Sequence, residues 1–453
     1  MYESYWQQAL SFLGTPEGFL AFLMMLAVLA AILVKPQLRW HVLAFVLVST
    51  TFGGGDESTI DFGGVRSLPW PLSFLANNAR LITTFSAASL LMASITANRG
   101  WRPKAVGFGA LCFLALYLWI AFRATFDPTT LGRGILGLVS CTIFFTVLAV
   151  GLGRWLQTLD DAYHLLGSIA TAGFLFVVAN LYLLILHPSA GGTGRFSGTT
   201  ANPQFMGIDC VLLLPTVLFL IERGTLSKFR RIALLATAGF LIIFLLWTGS
   251  RTGMLGAVTA VLVLYQWRIH RFLPMAVVVG LAVYMAIWFF PDSLAHLNRF
   301  TDPTNSRATS YDALWNAFLW SPIIGNGHAA HAESMYLSVL AGYGIVGGIP
   351  LLALILHTLS SAISAVRSRH VFGRDGRLVD LVLANLAIIP VIGLFEETLI
   401  GIFNPLSLFF YLNLALLTFL VLAAHHPAEA LASTPAALES PLLESASAGH
   451  VPA

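Results

Sequence analysis

Runs of about 20 apolar residues, each long enough to cross the hydrocarbon core of a bilayer, recur along this chain and constrain its fold more than any other feature. They fall at about 17–34, 38–53, 78–97, 104–122, 134–151, 165–186, 204–221, 231–248, 253–268, 272–290, 334–363, 379–400 and 404–424. Lipid offers no partner to a backbone N–H or C=O, so a spanning segment must satisfy its own hydrogen bonds. The sequence therefore predicts an all-α fold, a polytopic transmembrane helical bundle. The second run is short, and little more than Asn404-Pro405 separates the last two. The count is twelve or thirteen, which leaves the side of the N-terminus open.

The charges agree with this reading. Only 10% of residues are charged and 57% are hydrophobic, whereas a soluble chain carries about 25% charged residues. That excludes a water-soluble globular enzyme, a disordered chain and a nucleic-acid binder. The net charge of +3 implies no polyanionic partner. With connections on alternate sides, one side collects sixteen basic residues, including Lys35, Lys104, Arg223 and Arg377. The other collects eight, all arginine: Arg66, Arg80, Arg123, Arg133, Arg195, Arg251, Arg299 and Arg307. The positive-inside rule makes the richer side cytoplasmic and places the C-terminus there. The stretch from about Pro427 to Ala453 is rich in Ala, Ser and Pro and reads as a disordered tail. Cys112, Cys141 and Cys210 lie in apolar runs with no metal or disulfide spacing. Met1 to Pro16 lacks Lys and Arg and does not read as a secretory signal.

Polar chemistry concentrates in three outer segments. The first runs from Gly191 to Pro203 and holds Arg195, Ser197 and Asn202 among glycines and hydroxyl residues. Glycine admits a ligand close to the backbone, and the guanidinium fork matches phosphate. A flexible hairpin with an incidental Arg is the plain alternative. The second, Thr248 to Gly253, puts Ser250 and Arg251 in a very short turn between two apolar runs. A charge there is costly and often functional, and the amides opening the next helix add to an anion site. A snorkelling Arg is the alternative.

The third segment, about 291–333, is the longest polar connection. It holds Arg299, Asp302, Arg307 and Asp312, then Gly325-Asn326-Gly327, His328, His331 and Glu333, and leads into Tyr336 and a glycine-rich run. Histidine is suited to proton transfer near neutral pH, although exposed histidines without a role are as ordinary. His328 and His331 lack a third ligand at zinc spacing, so no metal is expected. Glu396-Glu397 ends the twelfth run. That pair suits a sugar, an outer arginine, a coupling ion or simply a helix end. Outer arginines beside apolar spans suit a substrate with a lipid tail and a phosphate head. A nearby histidine suits deprotonation of an attacking hydroxyl.

These segments carry a family resemblance. Arg195-Phe196-Ser197-Gly198-Thr199 with Asn202-Pro203, then Ser250-Arg251-Thr252-Gly253, then Arg307, Trp315, Pro322, Gly325-Asn326-Gly327, His331, Tyr336-Leu337, Gly344 and Gly347 resemble, in order, motifs of the O-antigen ligase/O-antigen polymerase superfamily of bacterial membrane glycosyltransferases. The resemblance covers about Gly191 to Pro350. One departure is the spacing from His331 to Tyr336, longer than the family's, which leaves His328 and His331 both open as the base, His331 favoured.

The resemblance implies an inner-membrane glycosyltransferase domain over residues 1–424, with its large periplasmic loop at about 291–333 and a cytoplasmic tail at 425–453. It implies an undecaprenyl-diphosphate-linked glycan as donor, and lipid A-core or a second lipid-linked glycan as acceptor. No cofactor or metal is implied. His331, Arg251 and Arg195 are expected to be catalytic. Arg307, His328, Glu333, Tyr336, Ser250, Ser197 and Asn202 are expected to bind substrate. O-antigen ligase leads, repeat-unit polymerase is the alternative, and a lipid-linked substrate transporter is the rival of another class.

Overall fold

The computed structural model describes residues 14–52, 68–77, 82–83, 86, 89–90, 107–125, 151–188, 195–200, 202–224, 226–268, 307–327, 333–397 and 405–425. Among these residues there are helices, turns and bends but no strand. The helices used below are α1 (Pro16–Val34), α2 (Arg39–Thr50), α3 (Gly107–Ala124), α4 (Leu159–Leu186), α5 (Pro203–Arg223), α6 (Lys228–Thr248), α7 (Arg251–Leu264), α8 (Ala308–Trp320), α9 (Met335–Arg367), α10 (Arg377–Gly393) and α11 (Pro405–His425). Among the described residues six segments are long and apolar enough to cross a membrane: α4, α5, α6, α9, α11, and α10 with the turn before it. The helices α2, α3 and α7 are apolar but shorter. The chain is a polytopic helical bundle. The predicted spans at 134–151 and 272–290, most of that at 78–97, and the tail beyond His425 lie outside the described residues. So does the choice between twelve and thirteen spans.

The sequence starts and stops these helices by ordinary end chemistry. Thr158 and Asp161 form a reciprocal capping box at the start of α4. Asn202 caps α5 and Pro203 opens it. Helices α5 and α6 both end on glycines in the left-handed conformation, Gly224 and Gly249. The bundle is organised around α5, which packs on α4, α6, α7 and α10. Its Gly207 and the Gly253 of α7 meet at their crossing: a Cβ on Gly253 would stand 3.1 Å from the Gly207 carbonyl oxygen. Small residues let two backbones approach, and in lipid close van der Waals packing drives helix association.

Helix α9 is broken at Gly344, whose φ of 63° and ψ of −166° are not helical. The Pro322–Gly327 stretch of the preceding loop docks into this break. Asn326 N–H donates to Ala341 O at 3.0 Å, Gly327 N–H to Gly342 O at 2.8 Å, Ile345 N–H to Pro322 O at 2.8 Å and Val346 N–H to Ile323 O at 3.1 Å. From α3, Trp119 Nε1 donates to Tyr343 O and Arg123 Nη2 to Gly325 O. The glycine-rich run thus has a structural task, seating the loop in the helix. Beyond the break, Ile349, Leu352, Leu356, Leu359 and Ile363 form an exposed apolar stripe suited to lipid.

Charged pairs gather at the two ends of the bundle. At one end Arg39 pairs with Asp161, Arg223 with Asp375, Arg369 with Asp380 and Arg377 with Glu222, at 3.9, 3.7, 2.7 and 2.5 Å. At the other end Arg307 pairs with Glu396. The sequence assigns the basic residues of the first group to its base-rich side and Arg307 to the other.

Candidate active site at the arginine end of the bundle

The three motif segments meet at the second end. The first loop docks on the end of α6 through Phe196, which is buried between Trp247 and Phe244, ring centroids 5.0 and 5.2 Å away. Its N–H donates to Trp247 O at 3.2 Å. Arg195 is then held from the second segment, Nε donating to Thr248 O at 2.6 Å. Gly198, at φ +52°, lies against Asn180 of α4, and a Cβ there would fall 2.0 Å from Asn180 Oδ1. That oxygen accepts the Thr199 N–H at 2.9 Å. The loop is therefore shaped by an asparagine inside a span, which the sequence analysis did not single out.

The second segment opens α7. Ser250 is its N-cap, with Oγ accepting the Gly253 N–H at 3.1 Å. Arg251 is the first helical residue, half-buried, with its Nε enclosed. The side-chain oxygens of Ser250 and Asn202 thus both cap helices. Ser197 differs: its Oγ is buried and has no hydrogen-bond partner among the described residues. A buried orphan hydroxyl is costly and suits a bound acceptor or donor group.

The third segment joins the other two through Glu396, just past the end of α10. Glu396 Oε1 accepts from Arg307 Nη2 at 2.6 Å and from Gln204 Nε2 at 2.5 Å. Gln204, two residues after the Asn202 cap, also donates to Thr252 Oγ1 at 2.9 Å. The Glu396 carbonyl accepts the Met335 N–H at 3.1 Å, which seats the start of α9. Burial pushes the Glu396 carboxyl above the usual range; Arg307 and Gln204 pull it back, and Glu333 nearby pushes it further up. The Glu333 Oε2 is buried without a hydrogen-bond partner among the described residues. Burial raises Glu397 to about 7.

Tyr336, in the first turn of α9, donates its hydroxyl proton to Pro390 O at 3.2 Å. With Met335 it lines one end of an apolar groove of about 370 Å³, whose walls include Leu354, Leu386, Pro390 and Phe410. The groove runs along α9, α10 and α11 beside the polar cluster. His328 and His331 lie outside the described residues, so the base predicted from sequence stays an expectation. Of the other expected residues, direct bonds link the segments that carry Arg195, Ser197, Asn202, Ser250, Arg251 and Arg307, and the segment from Glu333 to Tyr336 abuts Glu396. Among the described residues no group of three His, Cys, Asp or Glu side chains is placed to hold a metal.

With that geometry in view, comparison with known families is informative. Residues 236–352 match the family model described as O-Antigen ligase. Over that stretch the chain is similar to the O-antigen ligase family. The matched stretch includes the Ser250–Gly253 turn, Arg307 and the glycine-docked loop. The Arg195–Pro203 loop lies before it and Glu396 after it, yet both bond directly to residues within it or beside its turn. No curated protein matches the chain.

Proposed function

We propose that this protein transfers a glycan from an undecaprenyl-diphosphate-linked donor to a sugar hydroxyl at the periplasmic face of the inner membrane. In its leading form it is the O-antigen ligase that joins O-antigen to lipid A-core. The observation that carries this reading is the convergence of three arginine-bearing segments at one end of a membrane bundle: Arg195 on Thr248, Gln204 on Thr252, and Arg307 and Gln204 on Glu396. The apolar groove at Tyr336 supports a donor with a lipid tail.

In this mechanism His331, or His328 beside it, takes the proton of the acceptor hydroxyl as its oxygen attacks the anomeric carbon. The bond from that carbon to the diphosphate oxygen breaks, and undecaprenyl diphosphate leaves. Direct displacement inverts the anomeric centre. Arg195 and Arg251 hold the diphosphate and take up the charge that develops on it, which a metal would otherwise do. Ser197, Ser250 and the first amides of α7 line the same region, and the Arg251 turn is a helix N-terminus suited to an anion. Arg307, Glu333, Tyr336 and Asn202 border the acceptor side. The C-terminal tail lies in the cytoplasm.

Deletion of the gene followed by analysis of surface glycan tests the reading. Loss of a ligase leaves long lipid-linked polymer that is not attached to lipid A-core. Core bearing a single repeat would instead mark a polymerase. Unchanged surface glycan would contradict both, and transfer by the purified protein in detergent without a second protein would exclude the transporter reading.

A further inference from the structure

We infer that Glu396 is the positioning residue of this site, acting through Arg307 and through the start of α9. The inference rests on the function proposed above and names a residue outside both the matched domain and the three arginine-bearing motif segments. One residue just past the end of α10 ties together four helix beginnings, three through its side chain and one through its backbone carbonyl. Its Oε1 receives Arg307, the N-cap of α8, at 2.6 Å and Gln204, in the first turn of α5, at 2.5 Å. Gln204 passes the link to Thr252 in the first turn of α7 at 2.9 Å. The Glu396 carbonyl receives the first amide of α9 at 3.1 Å.

The anchor itself is fixed. Phe395 and Glu396 N–H groups both donate to Ile392 O at 2.9 Å, which continues the turn of α10. The two charged side chains are 21% and 13% exposed, so the pair sits largely out of water. Coulomb attraction is stronger there than at an open surface, and removing one member leaves the other charge uncompensated. Arg307 belongs to a connection that spans about 291–333, long enough to need a tether if its side chain is to point anywhere reproducibly. Glu396 holds the connection at Arg307 through its carboxylate and the start of α9 at Met335 through its carbonyl. Glu396 thereby sets the direction of the Arg307 guanidinium.

The test is a double-mutant cycle on the purified full-length protein with a lipid-linked glycan donor. Glu396→Gln keeps the shape and removes the charge. Acting through Arg307, it is expected to lower kcat about tenfold or more with a smaller change in KM for the donor, and to add little in an Arg307→Ala background. A structural residue would instead lower activity by the same factor in both backgrounds, and that result overturns the inference. A second readout needs no turnover. Hydrogen exchange in Glu396→Gln should rise through 308–320, while the Met335 amide, whose acceptor is the backbone carbonyl that Gln retains, and the amides of α4 and α5 stay protected. Unchanged exchange through α8 would equally overturn it. A wild-type protein that transfers no glycan yet loses this protection in Glu396→Gln would count against the proposed function and leave the tether standing.

Discussion

Gly325 and Gly344 show how single residues shape the site from a distance. Both have positive φ, 69° and 63°, and a Cβ on either would meet backbone atoms at 2.3 Å. A side chain there must strain its own backbone and also push apart the loop and the helix break. Gly325→Ala and Gly344→Ala are therefore each expected to cost more than about 2 kcal/mol. Gly239, in α6 with nothing within 4 Å of a built Cβ, is the control: its change to Ala should be neutral or stabilise by up to about 1 kcal/mol. Thermal unfolding in detergent reads all three, and equal effects would contradict the docking role. Arg195 is a second case. Its Nε is engaged with Thr248 O, a bond that fixes the plane of the guanidinium and that Lys cannot copy. Arg195→Lys should lower transfer about tenfold or more, whereas full activity would reduce Arg195 to a simple charge. The arginines were legible in the sequence because charge is scarce in this chain. Glu396 was visible only as half of an acidic pair at a span end. Its partners stand 89 and 192 positions away, and no local pattern says which arginine a carboxylate will meet.

At the level of elements, hydropathy located most described spans and missed their joints. The run at 334–363 reads as one helix, but α9 breaks at Gly344, a feature of backbone angle that apolarity does not record. The run at 379–400 continues past the true end of α10 at Gly393, because Leu394 and Phe395 before Glu396-Glu397 and Leu399 and Ile400 after them keep the mean hydropathy high across the turn. The predicted anion turn at Ser250-Arg251 does open a helix, as its cap chemistry requires. What the sequence analysis did not foresee is that Gly253 of this motif serves packing. It faces Gly207 of α5, and a Cβ on Gly207 would stand 2.6 Å from Ser250 Cβ. Gly207→Ala should thus force α5 and α7 apart, cost about 1–3 kcal/mol and reduce activity by shifting Arg251. Gly256→Ala, one turn further along, meets only side chains, the nearest at 3.2 Å, and should be milder. The same ranking in thermal midpoint and in activity is expected; a milder Gly207 variant would contradict the close crossing.

The whole molecule is a bundle with two chemically different ends. Among the described residues one end holds the ion pairs of Arg39, Arg223, Arg369 and Arg377, and the other gathers Arg195, Arg251, Arg307, Glu333, Glu396 and Glu397. Orientation is testable with engineered cysteines once the three native ones, Cys112, Cys141 and Cys210, have been replaced by serine. In intact cells a membrane-impermeant maleimide should label Asn316→Cys on exposed α8 and spare Lys228→Cys at the start of α6, and the reverse pattern would invert the topology. Stability should also depend on pH through Glu397. Burial raises its carboxyl from 4.5 to about 7, so the folded protein holds a proton that the unfolded chain has already lost. That stabilisation is full below the unfolded value and declines as pH rises toward about 7. Glu397→Gln removes the decline, so its thermal midpoint should exceed that of wild type by more at pH 8 than at pH 5. A difference that does not change with pH would show that the carboxyl is not held neutral by burial.

The central claim is that arginines at one end of this bundle hold a lipid diphosphate while its glycan is transferred. Its most direct test is transfer by the purified protein alone, in detergent, from an undecaprenyl-diphosphate-linked glycan, with lipid A-core and a second lipid-linked glycan offered separately as acceptors. The account predicts a glycosylated lipid A-core with inverted anomeric configuration, free undecaprenyl diphosphate, and loss of both products in Arg251→Lys. Undiminished transfer by Arg251→Lys, or no transfer to either acceptor by the folded wild-type protein, would contradict it.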